Sequence, residues 1–230
     1  MSVLEKMIGW LAPPFCISCG LEGSALCDGC RSSEILFFGE RCYSCGTLSP
    51  RSRTCSSCRS GSPRFAWVAT DYDNLPSELL KKYKFAHMRA AAMPIAALMV
   101  EALLDYNGRT ELYKANYLVV PVPTAGPRLR ERGFDHAELL ASHIAAQLNL
   151  KSRKILQRRG HARQVGAKRE VRMKQQAGLY YVPNPTTIHG RNVLLVDDVV
   201  TTGATLRAAT KALRGAGARH VDALIFAKAL

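Results

Sequence analysis

No cysteine occurs after Cys58 in this chain of 230 residues, so nothing in its larger, C-terminal part can be cross-linked by sulfur. No apolar run approaches the roughly eighteen residues of a membrane span. The first residues, Met1 to Leu11, are only mildly apolar, carry Glu5 and Lys6, and lack a small-residue cleavage site. They read as an amphipathic first helix rather than a signal peptide, and a cytoplasmic location is expected. Acid is scarce, with 18 Asp and Glu against 32 Lys and Arg, a net charge of +14. That excess points to anionic partners: nucleic acid, phosphates or an anionic membrane surface. Aromatic residues make up only 7%, so stacking platforms are few and readout of a base sequence is not expected. Neither a Gly-Lys-Thr/Ser phosphate loop nor a Gly-x-Gly-x-x-Gly fingerprint is present, which excludes the two commonest nucleotide-binding turns.

What is present begins with cysteine. All eight fall into four Cys-x-x-Cys pairs: Cys16/Cys19, Cys27/Cys30, Cys42/Cys45 and Cys55/Cys58. In a reducing compartment such pairs serve metal rather than disulfides, and a tetrahedral thiolate site takes two pairs. Eight thiolates suffice for two zinc ions. Pairing in sequence order is the simplest assignment, while an interleaved cross-brace uses the same residues. Gly20 and Gly46 each follow the second cysteine of a pair, a repetition that suggests two similar modules. Residues 15 to 58 show little periodicity, as expected of a segment folded by metal. Arg59 to Pro63 reads as a linker. The expected division is a double zinc ribbon over 1–62 and a second domain over 63–230, for which a 47% hydrophobic chain has ample material.

From Phe65 the pattern alternates. Strands are expected at Ala66–Tyr72, Tyr117–Val122, Arg153–Leu156, Val193–Val196 and His220–Ala227. Helices are expected at Pro76–Lys84, Ala90–Tyr106, Asp135–Leu150 and from Thr205 to Arg214, with residues 158 to 177 a loop. This is an α/β class: a mostly parallel sheet covered by helices, with ligands at the carboxyl ends of its strands.

The stretch from Asn192 to Thr205 carries the chemistry. Val193 to Val196 reads as a buried strand ended by Asp197 and Asp198, a carboxylate pair too costly for a core. Thr201, Thr202, Gly203, Ala204 and Thr205 then form a hydroxyl-rich turn into a helix. Backbone N–H groups, hydroxyls and the helix dipole there make a cradle for phosphate. A second stretch runs from Val119 through Pro121, Val122, Pro123 and Thr124 to Arg128, Arg130 and Arg132, then into a helix capped by Asp135, with Glu138 completing a capping-box-like pair. The three arginines read either as a solvated charge run or, at a strand's carboxyl end, as a polyphosphate clamp. A third stretch, Lys151 to Lys174, holds ten basic residues against Glu170, nine of the net excess. Lys84 is a weak candidate, since lone lysines on helices are usually solvated.

The Val193–Thr205 stretch resembles the phosphoribosyl-pyrophosphate signature of type I phosphoribosyltransferases. With the arginine stretch and the four cysteine pairs in the same order, the whole chain resembles the ComF/GntX family. Those are competence-associated proteins with an N-terminal double zinc ribbon and a phosphoribosyltransferase-like domain. The resemblance implies that Asp197 and Asp198 hold ribose hydroxyls and that Thr201 to Thr205 surround the 5′-phosphate. It also implies that Pro123, Thr124, Arg128, Arg130 and Arg132 clamp the pyrophosphate, with Mg²⁺ as companion ion. Arg158, Gln164, Arg169 and Arg172 match the family's flexible loop. Asp135-His136 stands where many members have Asn-Gln, and Arg172-Met-Lys-Gln175 where Arg-x-x-Asn is usual. Hypoxanthine-type relatives carry aspartate at the position of Thr201, and threonine cannot exchange a ring proton near pH 7, so salvage of a 6-oxopurine is not expected.

Two functional readings stand. One is a protein handling imported single-stranded DNA, alongside a competence helicase or other DNA-uptake proteins, with a retained phosphosugar site. The other is an active phosphoribosyltransferase of unknown acceptor.

Overall fold

The computed structural model describes residues 13–86, 88–107, 117–124, 126, 129, 133–159 and 178–229. The expected first helix, most of the basic loop and the arginines of the clamp lie outside them.

Five strands form one parallel sheet in the order β1–β7–β6–β2–β3: β1 Ala66–Asp71, β2 Tyr117–Pro121, β3 Lys151–Ser152, β6 Asn192–Val200 and β7 His220–Lys228. The apolar runs of β2 and, beyond Asp222, of β7 follow from burial on both faces, because helices cover each side. On one face lie α2 (Asn74–Phe85), α3 (Ala92–Asn107) and α4 (His136–Gln147), packing Leu79, Ile95, Met99, Leu140 and Ile144 onto Val119, Leu194 and Phe226. On the other, α5 (Ala204–Gly215) packs Leu206, Ala209 and Leu213 onto Val193, Leu195 and Ile225. Burial of such side chains supplies the main stabilisation, roughly 1.5–3 kcal/mol for each large aliphatic residue.

The two cysteine modules flank this sheet. Ala25, Leu26 and Ile35 of the first join the α3 face, where Arg31, on the short helix α1 (Asp28–Glu34), pairs with Glu101. Phe38 and Tyr43 of the second join the α5 face. The chain between them runs along the outer edge of β1: Phe38 N–H donates to Ala69 O at 3.0 Å and the Thr70 hydroxyl to Leu36 O at 2.8 Å. Thr54 N–H donates to Arg64 O at 3.0 Å just before that strand begins.

Several expectations change. The Asp197–Asp198 pair does not end its strand, since β6 stays paired with β7 through Val200. Backbone pairing is indifferent to side-chain polarity, and the neighbouring β7 is still there to be paired. The strand expected at Arg153–Leu156 sits two residues earlier, at Lys151–Ser152, against β2. At the rims of the expected loop, Gln157–Arg158 (β4) and Tyr180–Tyr181 (β5) pair antiparallel, which their polarity concealed. Ser62 and Pro63 of the expected linker are buried, the Pro63 carbonyl accepting from the Thr54 hydroxyl at 2.7 Å.

Candidate functional site

The cysteines assemble in sequence order. Cys16, Cys19, Cys27 and Cys30 form one set and Cys42, Cys45, Cys55 and Cys58 the other, the sulfurs of each lying within 4.8 Å of one another. The interleaved alternative is thereby excluded. Sulfur–sulfur distances of 3.6 Å for Cys19–Cys27 and Cys45–Cys55 suit a tetrahedral zinc site, whose edges measure about 3.8 Å for Zn–S bonds near 2.3 Å. The modules repeat in detail: Gly20 N–H donates to Cys16 O at 2.9 Å and Gly46 N–H to Cys42 O at 2.8 Å. The Thr47 hydroxyl and backbone lower the Cys45 thiol to about 6, whereas burial raises Cys58 to about 12 and the neighbouring Cys45 raises Cys55.

The second cluster of chemistry lies at the carboxyl ends of the strands. From β2 the chain moves outward to β3 and from there back past β2 to β6. The helix after β2 (α4) covers one face and the helix after β6 (α5) the other. Such a divergence opens a crevice where α/β sheets bind ligands. Asp197 and Asp198 stand there near the carboxyl end of β6. Asp198 N–H donates to Asp197 Oδ1 at 2.9 Å, and Lys84 Nζ pairs with Asp198 Oδ2 at 2.7 Å. Burial and the neighbouring Asp198 charge push the Asp197 carboxyl up to about 8, against the opposing pull of Lys84. Lys84, expected to be solvated, is the counter-ion of the acid pair. Its sequence signal is weak, because it reaches the site from α2, more than a hundred residues upstream.

Beyond the pair, Thr201, Thr202 and Thr205 are exposed, whereas Gly203 is buried. Gly203 is the N-cap of α5 with φ +72°, and no side chain caps the helix, so its first N–H groups keep no side-chain acceptor. Two contacts hold this turn. Lys228, at the end of β7, donates from Nζ to Thr201 O. Tyr43 of the second cysteine module lies against Gly203, where an added Cβ would come within 2.6 Å of the ring. The Tyr43 hydroxyl donates to Ser62 Oγ at 2.8 Å, and that serine donates to Cys58 O at 2.6 Å. Neither support was visible beforehand. A tyrosine inside a Cys-x-x-Cys pair and a lysine near the chain's end carry no pattern that marks them.

The remaining candidates fall around the same crevice where they are described. Thr124 donates its hydroxyl to Asp135 Oδ1 at 3.0 Å, and Asp135 caps α4 by accepting from Glu138 N–H at 3.3 Å. The Glu138 carboxylate goes instead to Lys154 at 2.7 Å, so the capping box is one-sided. His136 is buried against Tyr83, ring centroids 4.7 Å apart, as part of the packing beneath the crevice. Burial raises the Tyr180 phenol, the Arg158 charge pulls it back and the Asp197 charge raises it further, which puts β5 within electrostatic reach of Asp197. Pro123 follows β2 and is half-buried. Arg128, Arg130, Arg132, Gln164, Arg169 and Arg172 lie outside the described residues. Among the described residues, no helix is long and apolar enough to cross a membrane.

Residues 135–229 match the model of the phosphoribosyl transferase domain. Among curated proteins, the chain is 29% identical to competence protein F of Haemophilus influenzae, over 93% of this chain and 96% of that one. It is 27% identical to competence protein ComFC of Bacillus subtilis (82% and 77% covered) and 27% to the DNA utilization protein YhgH of Escherichia coli K12 (79% and 81%). Among solved structures, it overlays an allosteric regulatory enzyme of purine biosynthesis with a TM-score of 0.42 and 16% identity. That overlay covers 63% of this chain and 29% of the enzyme, a likeness too loose to bear on function. Along most of its length, then, the chain is similar to competence proteins F and ComFC, and its residues 135–229 match a phosphoribosyl transferase domain.

Proposed function

We propose that this protein binds phosphoribosyl pyrophosphate or a related phosphosugar at the carboxyl end of β6 and acts in natural competence by handling imported single-stranded DNA. One observation carries the ligand: the uncapped start of α5, flanked by exposed threonine hydroxyls and an acid pair. A phosphate satisfies N–H groups that no side chain caps, and the acid pair accepts hydrogen bonds from vicinal hydroxyls on the same sugar.

In this reading Asp197 and Asp198 take the ribose hydroxyls and Thr201 to Thr205 the 5′-phosphate. Pro123, Thr124, Arg128, Arg130 and Arg132 clamp the pyrophosphate, and Arg158, Gln164, Arg169 and Arg172 belong to a loop that closes over it. Mg²⁺ accompanies the ligand and neutralises its pyrophosphate. Lys84 pairs with Asp198, and Lys228 fixes the turn that receives the phosphate. Residues 1–62 form the zinc-binding part, with two structural zinc ions, and 63–230 the phosphosugar domain. The competence role is supported by relatives named for competence and DNA utilization. With it go a cytoplasmic location and partnership with a competence helicase or other DNA-uptake proteins.

The match to a phosphoribosyl transferase domain favours a second reading, transfer of the phosphoribosyl group to a nitrogen acceptor with release of pyrophosphate. Thr201, with no proton to exchange near neutrality, speaks against a 6-oxopurine acceptor.

Calorimetric titration of phosphoribosyl pyrophosphate with Mg²⁺, alone and with single-stranded DNA, tests the proposal. Saturable binding lost in Asp197→Ala and Asp198→Ala is expected. No binding to the wild-type chain removes the phosphosugar site. Competition by DNA means one shared site, and independence means two.

A further inference from the structure

A cleft of about 510 Å³ lies between the second cysteine module and the domain, lined by Arg53, Thr54, Arg59, Ser62, Arg64 and Arg214 among others. Arg214 stands in the last turn of α5, whereas Gly203 caps its first. A twelve-residue helix, about 18 Å long, therefore lies between Arg214 and the phosphate turn, while Ser62 on the opposite wall reaches that turn through Tyr43.

The charges there are uneven. Arg64 is spoken for: its Nε and Nη2 donate to the two Asp222 oxygens at 3.1 and 2.8 Å. Asp222 is fully buried and also accepts from Tyr117. Arg53, Arg59 and Arg214 are exposed and make no ion pair among the described residues. No acid lines the cleft. Three guanidinium groups around one concavity, with no carboxylate between them, favour an anion. Three of the four wall hydroxyls add no donor, because Ser49, Thr54 and Ser62 already donate to the carbonyls of Arg53, Pro63 and Cys58, and the fourth, Ser56, is exposed. A small free metabolite would need converging buried donors, which these walls have spent. Exposed arginines spread over a rim suit instead a chain of phosphates passing through. No aromatic ring lines the cleft, so it offers bases no stacking platform.

We propose that this cleft is a phosphodiester-binding site, in which Arg53, Arg59 and Arg214 hold backbone phosphates of single-stranded nucleic acid without reading its sequence. The inference rests on the DNA-handling half of the proposed function and places one contact surface away from the phosphosugar site.

The test follows binding of a fluorescent oligo(dT) of about 20 nucleotides to the full zinc-loaded chain by anisotropy across a salt series. It compares wild type, Arg214→Gln and the triple variant Arg53→Gln/Arg59→Gln/Arg214→Gln. Neutralising three phosphate contacts lowers the slope of log K against log salt by about 2 and weakens binding ~tenfold or more at moderate salt. The single variant loses about a third of that slope. Unchanged zinc content and thermal midpoint establish that the variants fold, and Mg²⁺-dependent binding of phosphoribosyl pyrophosphate is expected to stay as in wild type. A triple variant with wild-type affinity and slope overturns the cleft assignment and leaves DNA handling standing. A wild-type chain that binds no oligo(dT) overturns both. Competition by inorganic phosphate beyond its ionic-strength effect, lost in the triple variant, overturns the assignment to a nucleic-acid backbone in favour of a free oxyanion.

Discussion

Replacing Gly203 by alanine tests how the zinc-binding part and the phosphate turn are joined. Two costs add. The residue has φ +72°, where any side chain costs about 1–2 kcal/mol. The new methyl would also meet Tyr43 Cε2 at 2.6 Å, Arg207 Nη1 at 3.2 Å and Tyr43 Cζ at 3.4 Å. Arg207 is a flexible side chain and can withdraw. Tyr43 is fully buried and anchored through Ser62, so its ring must be forced aside, an overpacking cost of about 1–3 kcal/mol. The sum is on the order of 2–5 kcal/mol, or roughly 5–15 °C in thermal midpoint for a chain of this size. Gly190 supplies the control. Its φ is +71°, yet a Cβ there would meet nothing within 4 Å, so Gly190→Ala pays the backbone cost alone. Thermal unfolding followed by circular dichroism, with zinc content measured in parallel, reads the difference. Combining Gly203→Ala with Tyr43→Ala should give less than the sum of the two single losses, because the methyl then occupies space the ring has left. If Gly203→Ala is no more costly than Gly190→Ala, the ring does not constrain the turn and the reasoning fails.

Two further outcomes follow from the same geometry. The Asp197 carboxyl is raised from an ordinary 3.8 to about 8, so the fold favours its protonated form; that contribution is complete below about pH 4 and is lost as pH rises through about 8. Asp197→Asn should accordingly gain thermal midpoint over wild type at pH 9, and Lys84→Gln, which removes the opposing charge, should lose it; a variant order independent of pH between 5 and 9 would contradict the assignment. Chelation of zinc should lower the thermal midpoint of the whole chain, because Ala25, Leu26, Ile35, Phe38 and Tyr43 belong to the same apolar clusters as the sheet; wild type should carry two zinc ions by elemental analysis, and a sheet that melts unchanged after their removal refutes the coupling.

What the sequence disclosed was whatever repeats or runs locally. The apolar strands, the helix cap at Asp135 and the four Cys-x-x-Cys pairs, though not how those pairs combine, depend on neighbours within a few tens of residues. Each was legible for that reason. The acid pair and its hydroxyl-rich turn were legible as chemistry, although the continuation of β6 through Val200 depended on β7, which lies after it. Lys84, Lys228 and Tyr43 were opaque, because each acts on the site from a distant element and looks ordinary where it stands. The same holds for the arginine cleft. Arg53 and Arg59 come from one module and Arg214 from a helix end some 150 residues on.

The stretch between the two cysteine modules has a cost attached to its place. At the outer edge of β1, Leu36 to Phe38 takes hydrogen bonds that an exposed strand would offer to any other strand. That lid is flanked at each end by a cysteine module. A chain stripped or oxidised at its cysteines would bare an apolar strand edge, Ala66-Trp-Val-Ala-Thr70, open to pairing with a second copy. Metal loss in this protein would then register first as self-association and loss of solubility, before any binding assay is run.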